Sequence, residues 1–283
     1  MDVSIDDVVY LLTIPAGALS RDGSTMYFIE VDEDGELLEK HWNGNEITGQ
    51  YSISEGVKES SSAKYLLNDD VRRVFFPSAE NVLQCYEYDE SEEDWNLVDL
   101  QTAEESLIIH PDSKISGCFN GNDQLIFFQD ASGRLQGLRI AQSGECSSLP
   151  LFENTPETPF IHTAYEADDD SIHVLYLDDS NTIHDMKLDA NTEWQDTIVE
   201  GEGFGNHQVL SFIKTATDDE GTSGFLAIST NNLVLYINQQ GERIDLGSFN
   251  RKRFASATSE ECAPELYTQT KNLVRALSGK PKK

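Results

Sequence analysis

The chain has 283 residues, with 51 Asp and Glu against 20 Lys and Arg and a net charge of −31. Nucleic-acid binding needs a basic face that displaces phosphate counterions, so this balance excludes that class and sets the chain against anionic membrane surfaces too. No run approaches the roughly 20 apolar residues that cross a bilayer, yet an apolar share of 38% with 13 Phe and 10 Tyr suffices for a packed core.

In chain order, the start Met1-Asp2-Val3-Ser4 is acidic and the apolar run over 8–12 is short for a secretory signal. With no CxxC pair, Cys85, Cys118, Cys146 and Cys262 read as free thiols, and we expect a cytoplasmic protein. Beyond this start, one layout recurs: an apolar strand, a short polar turn, then a second strand. The pairs are 26–29 with 37–39, 73–76 with 82–84, 124–129 with 134–136, 172–177 with 182–184, and 225–228 with 233–235. A weaker unit pairs 265–267 with 272–274, and over 266–277 a helix competes with strands.

Taking the apolar residue that opens each second strand as an anchor gives Leu37, Leu83, Leu135, Ile183 and Leu233, spaced by 46, 52, 48 and 50 residues. Such a period belongs to propeller blades. Asp34-Gly35, Ser132-Gly133, Ser180-Asn181 and Asn231-Asn232 lie between the paired strands and supply the positive φ of tight turns. A four-stranded unit cannot bury its faces alone, so units stack, and radial stacking protects their edges. We expect an all-β chain: one six-bladed β-propeller over 1–283, with blades of about 47–50 residues, its ring closed by the strand at 8–12.

Conventional active-site motifs are scarce. Asp32-Glu33-Asp34-Gly35 and Asp168-Asp169-Asp170 lack the later Glu of a calcium loop and read as solvated turns, so no metal is expected. The acidic run over 87–94 reads as an exposed connection between strands. No GxSxG nucleophile elbow accompanies the six histidines, and the glycine-rich 201–205 lacks the dinucleotide fingerprint, so no cofactor is expected either. His173 and Asp185 form either an acid–base pair or a structural bond between strands. Trp42, Trp95 and Trp194 either line ligand sites between blades or pack one blade on the next. Of Arg72 and Arg73, one should face inward and meet a ligand or a structural carboxylate.

The hairpin unit resembles the fungal fucose-specific lectins, through Arg73-Val74-Phe75-Phe76, Phe127-Phe128-Gln129-Asp130, and the segment over 172–185 followed by Trp194. The resemblance implies a lectin-like, six-bladed propeller with sugar sites built from an Arg, a Glu and an aromatic ring of the neighbouring blade. Charge-assisted hydrogen bonds and ring packing suit a sugar. On this chain the Arg position falls on Tyr27, Arg73, Leu125, His173 and Ser223, and the Glu position on Glu39, Cys85, Gly137, Asp185 and Leu235. This alignment sets Arg73 against Cys85 and Glu39 against Tyr27, and no blade keeps both charged partners.

A second group that the chain resembles at the level of fold is the fungal hetero-Diels–Alderases of tropolone-sesquiterpenoid pathways. That resemblance implies cofactor-free cycloaddition of a tropolone quinone methide to an alkene such as humulene. Arg73, His173 and Tyr27 would be candidate catalytic donors, and Glu39, Trp42, Trp95, Asp185 and Trp194 would bind substrate. Such a reaction needs no nucleophile or redox centre: it needs two reactants held together and a hydrogen bond to the diene carbonyl. The alternative is a carbohydrate-binding lectin without catalysis. The expected partner is an apolar small molecule, or a monosaccharide under the alternative, in a monomer or homodimer.

Overall fold

The computed structural model describes residues 16–256 apart from 21–23, 44–45, 59–61, 69–70, 101–106, 153–154, 157, 159, 168, 189–192, 200–202, 206, 215–223, 239–240 and 251–252. Within them, short apolar strands joined by tight turns form five sheets, each an antiparallel meander in chain order. Blade 1 holds β1 (Ala16–Leu19), β2 (Met26–Val31), β3 (Leu37–Trp42) and β4 (Ile47–Ser54). Blade 2 holds β5 (Lys64–Leu67), β6 (Arg72–Pro77), β7 (Leu83–Asp89) and β8 (Asp94–Val98). In blade 3 the strands are β9 (Ser116–Asn120), β10 (Asp123–Gln129), β11 (Leu135–Ile140) and β12 (Cys146–Ser148). Blade 4 follows with β13 (His162–Glu166), β14 (Ile172–Leu177), β15 (Ile183–Leu188) and β16 (Trp194–Ile198). Blade 5 has β17 (Val209–Lys214), β18 (Gly224–Ser229), β19 (Leu233–Asn238), β20 (Arg243–Asn250) and a fifth strand, β21 (Arg253–Ser256).

The first strands of successive blades lie side by side, β1 on β5, β5 on β9, β9 on β13 and β13 on β17, which is the radial order of a β-propeller. The described residues therefore make five blades where six were expected. The weak unit at 265–274, the strand at 8–12 and Cys262 lie outside them.

Turn chemistry fixes each central hairpin. Gly35, Asn81, Gly133, Asn181 and Asn232 all take positive φ two residues before the third strand gets under way. The residue two past each one pairs with the end of the second strand: Leu37 with Val31, Leu83 with Pro77, Leu135 with Gln129, Ile183 with Leu177, and Val234 with Ile228. In blade 5 the equivalent anchor is thus Val234 rather than Leu233. A slip of one residue sends each side chain to the opposite face, so the lectin positions of that blade become Gly224 and Tyr236 in place of Ser223, which lies outside the described residues, and Leu235.

Among the described residues, blades 2 to 4 pack both of their faces on neighbouring blades. On β6, Val74 and Phe76 join Ile29, Leu37 and Tyr65 between blades 1 and 2, while Phe75 joins Leu66, Ile126 and Phe128 between blades 2 and 3. Cores of the same kind, around Phe127 with Val174 and around Leu175 with Phe212, lie between blades 3 and 4 and between blades 4 and 5. Phe127 is fully buried and meets Phe152 and Trp194 edge-on at 6.1 and 6.0 Å. Phe127→Ala is expected to cost about 3–5 kcal/mol in denaturant unfolding, and a loss below about 1 kcal/mol would show that this core does not hold the blades together.

A polar bridge joins the inner strands of blades 3 and 4. His162 Nε2 lies 3.1 Å from the Lys114 carbonyl, which only accepts, so this nitrogen carries the proton and Nδ1 accepts from Ser116 Oγ at 2.7 Å. Burial lowers His162 from 6.5 to about 4. The unfolded chain therefore takes up a proton that the folded chain refuses between those values, and stability falls as pH drops through that window by about 3 kcal/mol. Unfolding measured from pH 7 to 4 should show His162→Gln with a visibly flatter pH dependence than the parent chain.

Candidate functional site

Successive residues of a strand point to opposite faces, so each blade contributes alternate side chains to two clefts. The forward-facing position near the start of the second strand holds Tyr27, Arg73, Leu125, His173 and Gly224 in blades 1 to 5. Directly opposite on the third strand sit His41, Glu87, Arg139 and Lys187 in blades 1 to 4. The diagonal neighbours on the same face are Glu39, Cys85, Gly137, Asp185 and Tyr236. Five topologically equivalent positions thus carry five different chemistries, four of them in clefts between described blades.

Between blades 1 and 2 the chain pairs its own charged groups across the cleft. Glu39 on β3 is fully buried and accepts from Tyr65 Oη at 2.5 Å, His41 Nε2 at 2.8 Å and Arg72 Nε at 3.1 Å, with a second, closer bond from Arg72 Nη2. The Arg72 guanidinium lies 4.0 Å from the Tyr88 ring, 4.8 Å from Tyr27 and 5.3 Å from Trp95. Burial works to raise the Glu39 carboxyl, but the His41 hydrogen bond and the Arg72 charge outweigh it and hold the group below its ordinary value. Glu39 and Tyr27 are diagonal neighbours on one face, with Ile29 as the register partner of Glu39, and the cation that meets Glu39 comes from the next blade. Trp95 Nε1 is buried here without a hydrogen-bond partner.

Between blades 2 and 3, Arg73 Nε donates to Glu87 Oε2 at 2.6 Å and Nη1 to Gln124 Oε1 of β10 at 3.0 Å. Arg73 therefore has a carboxylate directly opposite, while Cys85, at the lectin Glu position, is its diagonal neighbour. Glu87 lies inside β7 rather than in an exposed connection; the turn proper spans 90–93. Gln124 Nε2 is buried without a partner.

Between blades 4 and 5 the cleft is polar and partly open. His173 Nδ1 donates to Asp185 Oδ1 at 2.7 Å, with side-chain exposures of 12% and 21%. The His173 ring stacks on Tyr165 at 4.9 Å, and Lys214 from blade 5 donates to the Tyr165 hydroxyl at 2.8 Å while its ammonium sits 4.2 Å from that ring. Burial first, then the Asp185 and Asp169 charges, push the Tyr165 hydroxyl upward, so it keeps its proton. The cleft between blades 3 and 4 is apolar: Trp194 stacks on Phe152 at 4.2 Å and donates to the Pro150 carbonyl at 3.0 Å.

The structure thus gathers Tyr27, Glu39 and Trp95 in one cleft, His173 and Asp185 in another, and leaves Arg73 in a third. Trp194 packs one blade on the next, and Trp42 ends β3 opposite Met26 with a buried Nε1 that has no partner. Tyr65, Tyr165 and Lys214 escaped the sequence reading, and Arg72 entered it only as an alternative to Arg73. The doublet carried the signal for both arginines, since neighbours in a strand serve different clefts and both could therefore point inward. Among the acidic turns, Asp32 accepts the N–H groups of Asp34 and Glu36, each at 2.9 Å, as a turn cap. Among the described residues, no helix is long and apolar enough to cross a membrane.

No protein-family model matches the chain, and no curated protein sequence does. Solved structures do. AofleA from Arthrobotrys oligospora superposes with a TM-score of 0.65 at 14% identity, over 83% of this chain and 71% of that one. The lectin of Aleuria aurantia, a six-bladed β-propeller with a novel fucose recognition mode, gives 0.61 at 15% identity, over 83% and 77%. BP39L lectin from Burkholderia pseudomallei gives 0.60 at 10%, over 83% and 69%. The fold is that of a lectin-like β-propeller.

Removing Arg72 leaves a buried, unpaired Glu39. Arg72→Met is expected to lower unfolding stability by about 3–5 kcal/mol, and adding Glu39→Gln should restore a large part of it. The Glu39 contribution is fully present above the ordinary value of 4.5 and is lost as pH falls through its lower folded value, so the single variant's deficit should shrink in acid. A double variant no better than Arg72→Met would refute the pairing as the source of the loss.

Proposed function

We propose that this propeller is a carbohydrate-binding lectin whose saccharide occupies the cleft between blades 4 and 5. One observation carries the reading: there, the positions that the resemblance to fucose-specific lectins assigns to Arg and Glu hold a hydrogen-bonded, partly exposed His173–Asp185 pair. Asp185 supplies acceptor oxygens to sugar hydroxyls, His173 and Lys214 supply donors, and the Tyr165 ring contributes apolar surface. The Aleuria aurantia lectin recognises fucose, which makes fucose the first sugar to try. In the clefts of blades 1 and 2 the charged groups are spent on one another, and those of blades 3 and 5 offer Leu125 with Gly137 and Gly224 with Tyr236. Among the described blades, one sugar site is therefore expected.

Arg72 ringed by Tyr27, Tyr88 and Trp95 favours a second reading, the cofactor-free hetero-Diels–Alderase. Aromatic walls and a cationic donor suit a polarised tropolone quinone methide and an apolar alkene better than a hydroxylated ring.

Calorimetric titration with fucose and a monosaccharide panel separates the two. Saturation at millimolar or tighter, lost in Asp185→Ala, is the expected result. No saturation with any sugar would overturn the lectin reading. Product formation from a tropolone precursor and humulene, with a yield that falls in Tyr27→Phe, would then establish the second.

A further inference from the structure

On one face of blade 4, three side chains fall into line. Ser171 precedes β14 and His173 lies within it, two residues on, so both project to the same side. Ser171 Oγ lies 2.9 Å from His173 Nε2, and His173 Nδ1 lies 2.7 Å from Asp185 Oδ1 on β15. Serine oxygen on Nε2 and carboxylate on Nδ1 is the order in which an imidazole takes a hydroxyl proton while a carboxylate fixes its tautomer. Ser171 and His173 are half-buried and Asp185 is 21% exposed, so the line opens to solvent rather than into the core.

We propose that Ser171, His173 and Asp185 form a hydrolytic triad acting on carboxylic esters of small alcohols. Ser171 Oγ attacks the ester carbonyl carbon, and its proton passes to His173 Nε2. The bond to the alcohol oxygen then breaks as that proton is delivered to it, leaving acyl-Ser171. Water adds next, its proton taken by His173, and the carboxylic acid leaves with Ser171 restored. The Tyr165 ring stacks on His173, and its hydroxyl accepts from the Lys214 ammonium, so these two groups are the hydrogen-bond donors that the same face offers to an oxyanion.

One contact holds the triad back. Ser171 has a single hydroxyl proton, and Asp169 in the turn before β14 competes for it, accepting from both Ser171 Oγ and the Ser171 N–H. Lys187 anchors Asp169 from the other side at 3.1 Å. While the proton points to Asp169, His173 Nε2 cannot take it. Removing the Asp169 carboxylate leaves His173 as its acceptor.

The activity shares a cleft with the proposed sugar site but does not rest on it: sugar titration and ester hydrolysis can each fail alone. The test treats the full chain with a fluorophosphonate probe and follows 4-nitrophenyl acetate hydrolysis. Expected are one label per chain, mapped to Ser171, and hydrolysis at least tenfold above Ser171→Ala. His173→Ala and Asp185→Asn should each lose at least tenfold, and Asp169→Ala should gain severalfold. Labelling of the parent chain depends on no variant's folding. No label at Ser171, Ser171→Ala hydrolysing at the parent rate, or Asp169→Ala slower than the parent would overturn the proposal.

Discussion

Burial of every central strand on both faces governs this molecule. In a half-solvated sheet one side chain in two answers to water, but in a propeller blade each neighbour in sequence answers to a different neighbour in space. Arg72 and Arg73 show the consequence: adjacent in β6, they reach Glu39 of the preceding blade and Gln124 of the following one. The same alternation explains why Val74, Phe75 and Phe76 are all fully buried, and why the strands read as continuous apolar runs.

This constraint makes a polar residue on a central strand expensive unless a partner waits across the cleft. The described arginines are distributed accordingly. Arg134 and Arg139 are more than half exposed and meet Asp130 and Asp123 at the surface, where screening leaves such pairs little weight. Arg72 and Arg73, by contrast, are only 10% and 8% exposed, so loss of Glu39 or Glu87 strands a buried guanidinium. In a chain of net charge −31, two of the 20 cations are thus committed to the packing of blade 2 on its neighbours.

The sequence exposed the repeat because turn chemistry and apolar periodicity are local. Leu37, Leu83, Leu135 and Ile183 open the third strand of their blades, as the spacing predicted. Leu233 opens its strand too, but the positive φ of Asn232 makes Val234 the residue in register with the other four anchors. Contacts across blades were illegible for a different reason. Glu39 with Arg72, and Tyr165 with Lys214, are separated by most of a repeat, and a single sequence carries no record of which faces meet. Ser171 escaped because the expected serine motif is a strand-to-helix elbow, whereas here the serine stands two residues before a histidine on a strand.

The repeated backbone also limits what the clefts can do together. A propeller with identical clefts gains from multivalent binding, each site adding to the next. Here the equivalent positions have diverged to Tyr27 with Glu39, Arg73 with Cys85, Leu125 with Gly137, His173 with Asp185, and Gly224 with Tyr236. Gly224 is crowded as well, since a Cβ placed on it would fall 2.3 Å from the Ile237 carbonyl, which leaves no room there for the side chain that a sugar site requires. Among the described residues, then, no two clefts repeat one another's chemistry, and each has to be judged by its own groups. That shifts the demand from many weak, equal contacts to a few well-placed groups. The cleft of blade 4 meets it: an aligned serine, histidine and aspartate lie beside a tyrosine held by a lysine of the next blade.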